Sequence, residues 1–317
     1  MLEKIDKIEE MPDFPSGIEP SQQSIAFFIG AGVSRLIGCP GWDQFARQLA
    51  EQAADRGILS YHDCDLINQM SDNRMKIGAV KDKYKEKKLE QDFLIAFKEL
   101  LDPRIKDRNN SSLIKNISVY ETLKYFSAVF PRLVYITTNA DIYFNEEFKI
   151  FPKDKIPTPD SSEDRFNGDT LYRIHGSIRE GEESSLIFSL KDYINQYSKK
   201  NYTTTFLEEI LINSDVIFFI GYSLSEIELL KYIIEPNNKR YWLKGYFQNQ
   251  TGLANIENAT YESMGITIIP FAIDTFGHRQ LMSVLSNWYS QLVRSTELIP
   301  KSQREVDDAI RITESEN

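Results

Sequence analysis

The chain has 317 residues, 37 basic and 47 acidic, for a formal charge of −10. At roughly 100–200 residues per domain, this length allows two or three units or one elaborated α/β domain with a sizeable core. The composition, 41% hydrophobic and 26% charged, is that of an ordinary globular protein, and the acidic balance argues against a chain whose main task is gripping nucleic acid or an anionic membrane surface. The two cysteines, Cys39 and Cys64, cannot form a four-cysteine zinc site or a disulfide framework. Three histidines, His62, His175 and His278, leave few candidates for metal or acid–base work, and no metal site is expected.

The N-terminus is charged and lacks the apolar centre of a secretory signal. No apolar run approaches the roughly 18 residues that cross a bilayer, so a cytoplasmic protein without membrane contact is expected. Residues 1–23 are polar, broken by Pro12, Pro15 and Pro20, and read as a loose arm or a short capping segment. The main domain is expected over 24–295. Ile25 to Ile29 is apolar without alternation, as suits a strand covered on both faces of a parallel sheet. It runs into Gly30-Ala31-Gly32-Val33-Ser34. A helix follows, with Trp42, Phe45, Leu49 and Ala53 at helical spacing and Gly57 as its stop.

Residues 60–112 carry few strand signals and read as a helical insertion beside the sheet. A lysine-rich stretch, Lys81 to Lys88, is read as a solvated helix face rather than a contact for a phosphate backbone or an acidic partner. Beyond it, strands are expected at Leu133 to Ile136, Leu171 to Ile174, Asp215 to Ile220 and Gly265 to Pro270. Helices lie between and after them, around 117–128, 203–213, 225–234 and 277–294. This alternation predicts an α/β fold, a doubly wound parallel sheet. From 296 to 317 the chain is a polar, acidic tail, expected to fray or to order only on a partner.

Four of these strands end in small polar clusters. Ligands of open α/β sheets bind just beyond the carboxyl ends of the strands, so four clusters far apart in sequence converge on one crevice. Gly30-Ala31-Gly32 is a strand-to-helix turn that lets backbone approach a diphosphate, or merely shapes the turn. Arg35 stands where the common dinucleotide fingerprint has its third glycine, so the ordinary dehydrogenase pattern is not met. Thr138-Asn139-Ala140-Asp141 offers an amide and a carboxylate for a ribose hydroxyl and a carboxamide, or ends its strand in an Asx turn. His175, beside Gly176 and Ser177, is placed to take a proton from a sugar hydroxyl near neutral pH, or is a satisfied structural histidine. In Gly221-Tyr222-Ser223-Leu224-Ser225-Glu226, Gly221 permits close approach and Ser223 can donate to a phosphate or ribose. Ser225 could cap the next helix, with Glu226 in that helix's first turn or at the ligand.

Taken in order, Gly30 to Ser34, Gly38-Cys39-Pro40-Gly41-Trp42, Thr138 to Asp141, Ile174 to Ser177 and Gly221 to Leu224 resemble the sirtuin family, specifically its bacterial sirtuin-like branch. The resemblance covers roughly residues 24–294 and includes the late strand and closing helix. It implies a Rossmann-like domain that binds NAD and breaks its nicotinamide–ribose bond. By motif position, Gly30, Ala31, Gly32 and Ser34 would hold the diphosphate side. Asn139, next to Thr138, would hold the nicotinamide ribose and order the attacking water. Asp141 would meet the carboxamide, and His175 would be the general base. Gly221 and Ser223 would lie along the adenosine half. Trp42 would shield the reactive carbon, or it packs in the core. Two departures touch the pocket: Ala140 stands where a larger residue is common, and Glu226 where the branch often has aspartate.

Protein-deacylating sirtuins carry a four-cysteine zinc ribbon, which this chain cannot form. No residue obviously builds a peptide channel. The expected activity is therefore hydrolysis of NAD to nicotinamide and ADP-ribose, driven by positioning and electrostatics. The branch is frequent in anti-phage systems that deplete NAD (abortive infection). The resemblance thus implies a gated effector that forms homo-oligomers and works beside a second component, such as a HerA-type ATPase or another sensor. Nucleic acid is not expected as the substrate. Two alternatives remain open: an NAD-dependent protein deacylase or ADP-ribosyltransferase, and a non-enzymatic module that senses NAD or ADP-ribose.

Overall fold

Ile25–Ile29 (β1) is buried at all five positions, and it can be so only in the middle of a sheet. In the computed structural model, β1 is the central strand of seven. The others are Leu133–Thr137 (β2), Lys153–Lys155 (β3), Thr170–Arg173 (β4), Val216–Ile220 (β5), Lys239–Tyr246 (β6) and Thr267–Ala272 (β7). Their order is β3-β4-β2-β1-β5-β6-β7, and every pairing is parallel. This is the doubly wound α/β sheet expected from the sequence. The structure describes residues 4–102, 118–158, 164–179, 181–182, 185–224, 226–233 and 238–295. Ser225, the end of the expected insertion (103–112) and the acidic tail (296–317) lie outside them.

The period-2 pleat divides each central strand between two cores. Ile25, Phe27 and Ile29 point to one face with Tyr135, Val216 and Phe218. Ala26 and Phe28 point to the other with Val134, Ile136, Ile217 and Phe219. The first face is covered by Ala31–Leu36 (α1), Ser118–Tyr125 (α6) and Gln280–Ser295 (α12). Trp288 of α12 meets Phe218 at a centroid distance of 5.6 Å. The second face is covered by Leu190–Tyr197 (α8), Tyr202–Asn213 (α9), Ile227–Ile233 (α10) and Thr251–Glu262 (α11). Between β2 and β3 lies Tyr143–Phe148 (α7).

A third core lies outside the sheet. Trp42–Asp55 (α2), Tyr61–Asn68 (α3), Asn73–Glu86 (α4) and Glu90–Leu101 (α5) pack around Phe45, Leu49, Ile77, Val80, Tyr84, Phe93 and Phe97. Ala140, Ile142, Ile178 and Phe188 join this cluster from the sheet side, so the helical lobe is seated on the loops that follow β2 and β4. Helix α2 is part of the lobe and separate from α1. Gly38 has φ +100°, a left-handed geometry that stops α1, and Pro40 and Gly41 restart the chain at Trp42.

The N-terminal residues have no regular secondary structure over 4–23, yet they are tied down. The amide of Ala272, at the end of β7, donates to Glu9 O at 2.8 Å. Trp288 Nε1 donates to Pro12 O at 2.9 Å, and Asn255 exchanges two hydrogen bonds with the backbone of Ile5. Ile8 is buried in the second core. These contacts fasten the segment to the end of β7 and to α11 and α12.

Candidate active site

Reading the sheet order from the centre, the chain leaves β1 toward β2, then returns across it to build β5, β6 and β7. The switch between β2 and β5 opens a crevice beyond the carboxyl end of β1. A cavity of about 470 Å³ occupies it, within the range that small-molecule ligands fill. Ala31, Gly32, Ser34, Thr138, Asn139, Asp141, His175, Gly221 and Ser223 all line it. Gly30, the remaining candidate, is not among its lining residues.

The glycine turn is built by close approach of two backbones. A Cβ on Gly30 would lie 2.5 Å from Tyr222 Cα, and one on Gly32 2.7 Å from Gly221 O. The Gly30 amide donates to Ile220 O (3.0 Å) and the Gly32 amide to Gly221 O (2.7 Å). Those two N–H groups are thus spent on β5 and its loop. Ala31, at the start of α1, is the exposed member of the turn, and Arg35 one turn later is exposed and also lines the cavity.

At the β2 end, Asn139 is held from three sides. Its Nδ2 donates to Gly30 O (2.9 Å), its amide donates to Thr137 Oγ1 (3.0 Å), and its carbonyl accepts from Arg173 Nη1 (2.7 Å). One Nδ2 proton is engaged, which leaves Oδ1 and the second Nδ2 proton for a ligand. Asp141 is 2% exposed. Its Oδ2 accepts from Ser34 Oγ at 2.5 Å, and Ser34 Oγ also lies 3.2 Å from Tyr120 OH. Ser34 therefore reaches Asp141 with its hydroxyl. Among the described residues, Asp141 Oδ1 is buried with no hydrogen-bond partner, a feature that calls for a donor from outside. Burial pushes the Asp141 carboxyl up, and the Arg173 guanidinium opposes this.

His175 follows β4, where Gly176 adopts a left-handed φ of +77° against Ser185. The imidazole is 2% exposed. Its Nε2 lies 2.7 Å from Tyr197 OH and its Nδ1 3.4 Å from Tyr193 OH. Burial lowers its pKa to about 3, so it is neutral at physiological pH. The unfolded chain takes up this proton near 6.5 while the folded one refuses it until about 3. Stability from this residue is thus fully present above pH 6.5 and is lost as pH falls through that window. At pH 5 the penalty is about 2 kcal/mol, or ~4 °C in Tm. The Tm difference between pH 7 and pH 5 is expected to shrink by that amount in His175→Asn, measured by calorimetry.

Trp42 packs against the helical lobe and also lines the cavity. It stacks on Phe45 at an interplanar angle of 3° and packs 5.4 Å from Phe188. The far end of the crevice is formed by Trp242, Leu243, Gly245, Phe271 and Leu281, an apolar slot beside Lys244 and His278. Sequence reasoning missed this end because β6 was not recognised. It also missed Tyr193, although Ser189 and Asp192 form a capping box that announces its helix. Cys39 lines the cavity with its thiol donating to Leu101 O, and Cys64 sits in the helical lobe.

The fold is a Rossmann-like α/β fold with a crevice at the carboxyl ends of its central strands. Residues 133–260 match the family model of the SIR2-like domain, which carries the Asn139, His175 and Gly221 clusters. This match supports a place in the sirtuin-like family and, with it, NAD-related enzymatic function. No curated protein matches the chain. Among the described residues, no helix is long and apolar enough to cross a membrane.

Proposed function

We propose that the protein hydrolyses NAD at the nicotinamide–ribose bond, giving nicotinamide and ADP-ribose. The observation that carries this reading is the unsatisfied buried Asp141 Oδ1 in the same crevice as Asn139 and His175. A carboxamide N–H is the donor this oxygen lacks, and burial makes the unmade bond costly without it. Asp141 then orients the leaving group, and Ser34 holds Asp141. Asn139 Oδ1 would bind a ribose hydroxyl and order water. His175, neutral, can accept a proton from that hydroxyl or water. Ala31 N–H and Arg35 offer positive ends for the diphosphate, and the apolar slot at β6 and β7 suits a purine. NAD enters as substrate, and the chain requires no metal for these roles.

By its resemblance to the bacterial sirtuin-like branch, the protein is proposed to be a cytoplasmic, homo-oligomeric effector of anti-phage defence. Its activity would be gated by a second component such as a HerA-type ATPase. The test is incubation of the purified protein with NAD, by itself and with the gating component present, following nicotinamide and ADP-ribose. Equimolar release with no acylated peptide or protein acceptor is expected. Strict dependence on an acceptor would make it a deacylase or ADP-ribosyltransferase instead. Tight ADP-ribose binding without turnover under any partner condition would make it a sensor.

A further inference from the structure

His175 is backed by a hydrogen-bonded chain that the proposed reaction does not yet use. Tyr193 OH, 3.4 Å from His175 Nδ1, donates to Glu226 Oε1 at 2.9 Å. Tyr222 OH donates to the other carboxylate oxygen, Glu226 Oε2, at 2.5 Å. Tyr193 and Tyr222 are buried, and both line the cavity with Glu226. Glu226 itself sits just ahead of α10, its carbonyl accepting from Leu229 and Leu230.

With Glu226 ionised, these contacts favour one arrangement of protons. A carboxylate only accepts, so both tyrosine hydroxyl protons point at Glu226. Tyr193 then has only a lone pair to offer His175, so Nδ1 carries the imidazole proton. Nε2 is left as the basic nitrogen, capped by the Tyr197 hydroxyl at 2.7 Å. We propose that Glu226, acting through Tyr193, is a positioning residue for His175. It selects the Nδ1–H tautomer and stabilises the imidazolium that forms during reaction.

The proposal rests on the hydrolase reading. In it, the proton leaves a ribose hydroxyl or water for His175 Nε2, displacing the Tyr197 hydroxyl. The Nδ1 proton stays in place, donated to Tyr193. The positive charge so formed is balanced by Glu226 at the far end of the tyrosine. Burial alone opposes that charge, as the lowered pKa of His175 attests. A carboxylate linked through one hydroxyl offsets it from a neighbouring position on the cavity wall.

Two measurements on the full chain test this. In steady-state NAD hydrolysis, Glu226→Gln and Tyr193→Phe should each lower kcat about 10-fold or more, a fraction of a full general-base effect, with KM within about twofold. The double variant should be no slower than the worse single one, because the residues act as a unit. Glu226→Asp should recover part of kcat. The second measurement, nitrogen-15 NMR of the histidine ring without ligand, should show the Nδ1–H tautomer in the wild type and its loss in Glu226→Gln. Wild-type kcat in Glu226→Gln, multiplicative losses in the double variant, or an Nε2–H tautomer in the wild type would each overturn the proposal. If the wild type consumes no NAD under any partner condition, the hydrolase reading falls, and the tautomer alone decides the role of Glu226.

Discussion

Asn139→Ala and His175→Ala are each expected to cut nicotinamide release by about 10²–10⁴, or roughly 3–5 kcal/mol of transition-state stabilisation. For Asn139 the loss comes from the group that faces the ligand. The backbone bonds from its amide to Thr137 Oγ1 and to its carbonyl from Arg173 survive truncation. Only the Nδ2 contact to Gly30 O disappears from the fold. His175→Ala leaves a small cavity beside Tyr193 and Tyr197 and removes a buried group that is neutral at working pH. Both variants should therefore fold, which circular dichroism and thermal melting check. Retention of ADP-ribose binding with loss of turnover would place the effect on chemistry. A folded His175→Ala that consumes NAD at the wild-type rate would show the mechanism to be wrong.

The parts of the molecule that sequence reading reached are those where one physical demand dominates. β1 and β5 are apolar at every position because helices cover both faces, and no other element tolerates five such residues so bounded. The polar clusters at their ends were legible because a strand end in an α/β sheet has a known address. β3 and β6 were not legible. Lys153–Lys155 is a three-residue charged edge, written by its position rather than by burial. Lys239–Tyr246 mixes Trp242 and Leu243 with Lys244 and Gly245, since one end turns into the crevice. Missing β6 hid the apolar end of the site. The glycines show a subtler limit. Their motif correctly marked the crevice, but Gly30 and Gly32 are small because β5 and its loop press on them. A pattern records that backbone must come close there, and it does not say whether the visitor is ligand or protein.

Arg173 had no sequence signal at all, and its removal carries the largest expected structural effect. It is fully buried, the position least tolerant of a charge. Three partners justify it: Asp154 Oδ1 at 2.6 Å, Asp154 Oδ2 at 2.9 Å and Asn139 O at 2.7 Å. Asp154 is itself 3% exposed, so the pair is a bidentate bond in a dry site. Arg173→Met should destabilise the protein by about 3–5 kcal/mol, because it strands a buried carboxylate. At ~2 °C per kcal/mol this is a Tm loss of about 6–10 °C. Arg179, 3.4 Å from Asp154 Oδ2, remains to answer part of the charge and sets the lower end of that range. Arg173→Met with Asp154→Leu should regain much of the stability, since an apolar pair strands neither charge. Activity should not return with it. The Asn139 carbonyl still lacks its donor, and the Asp141 carboxyl, already raised by burial, loses the guanidinium that opposes the rise. Calorimetry and NAD turnover on the single and double variants separate the two roles. If turnover returns together with stability, Arg173 serves the fold alone and contributes nothing to holding Asn139 and Asp141 at the crevice.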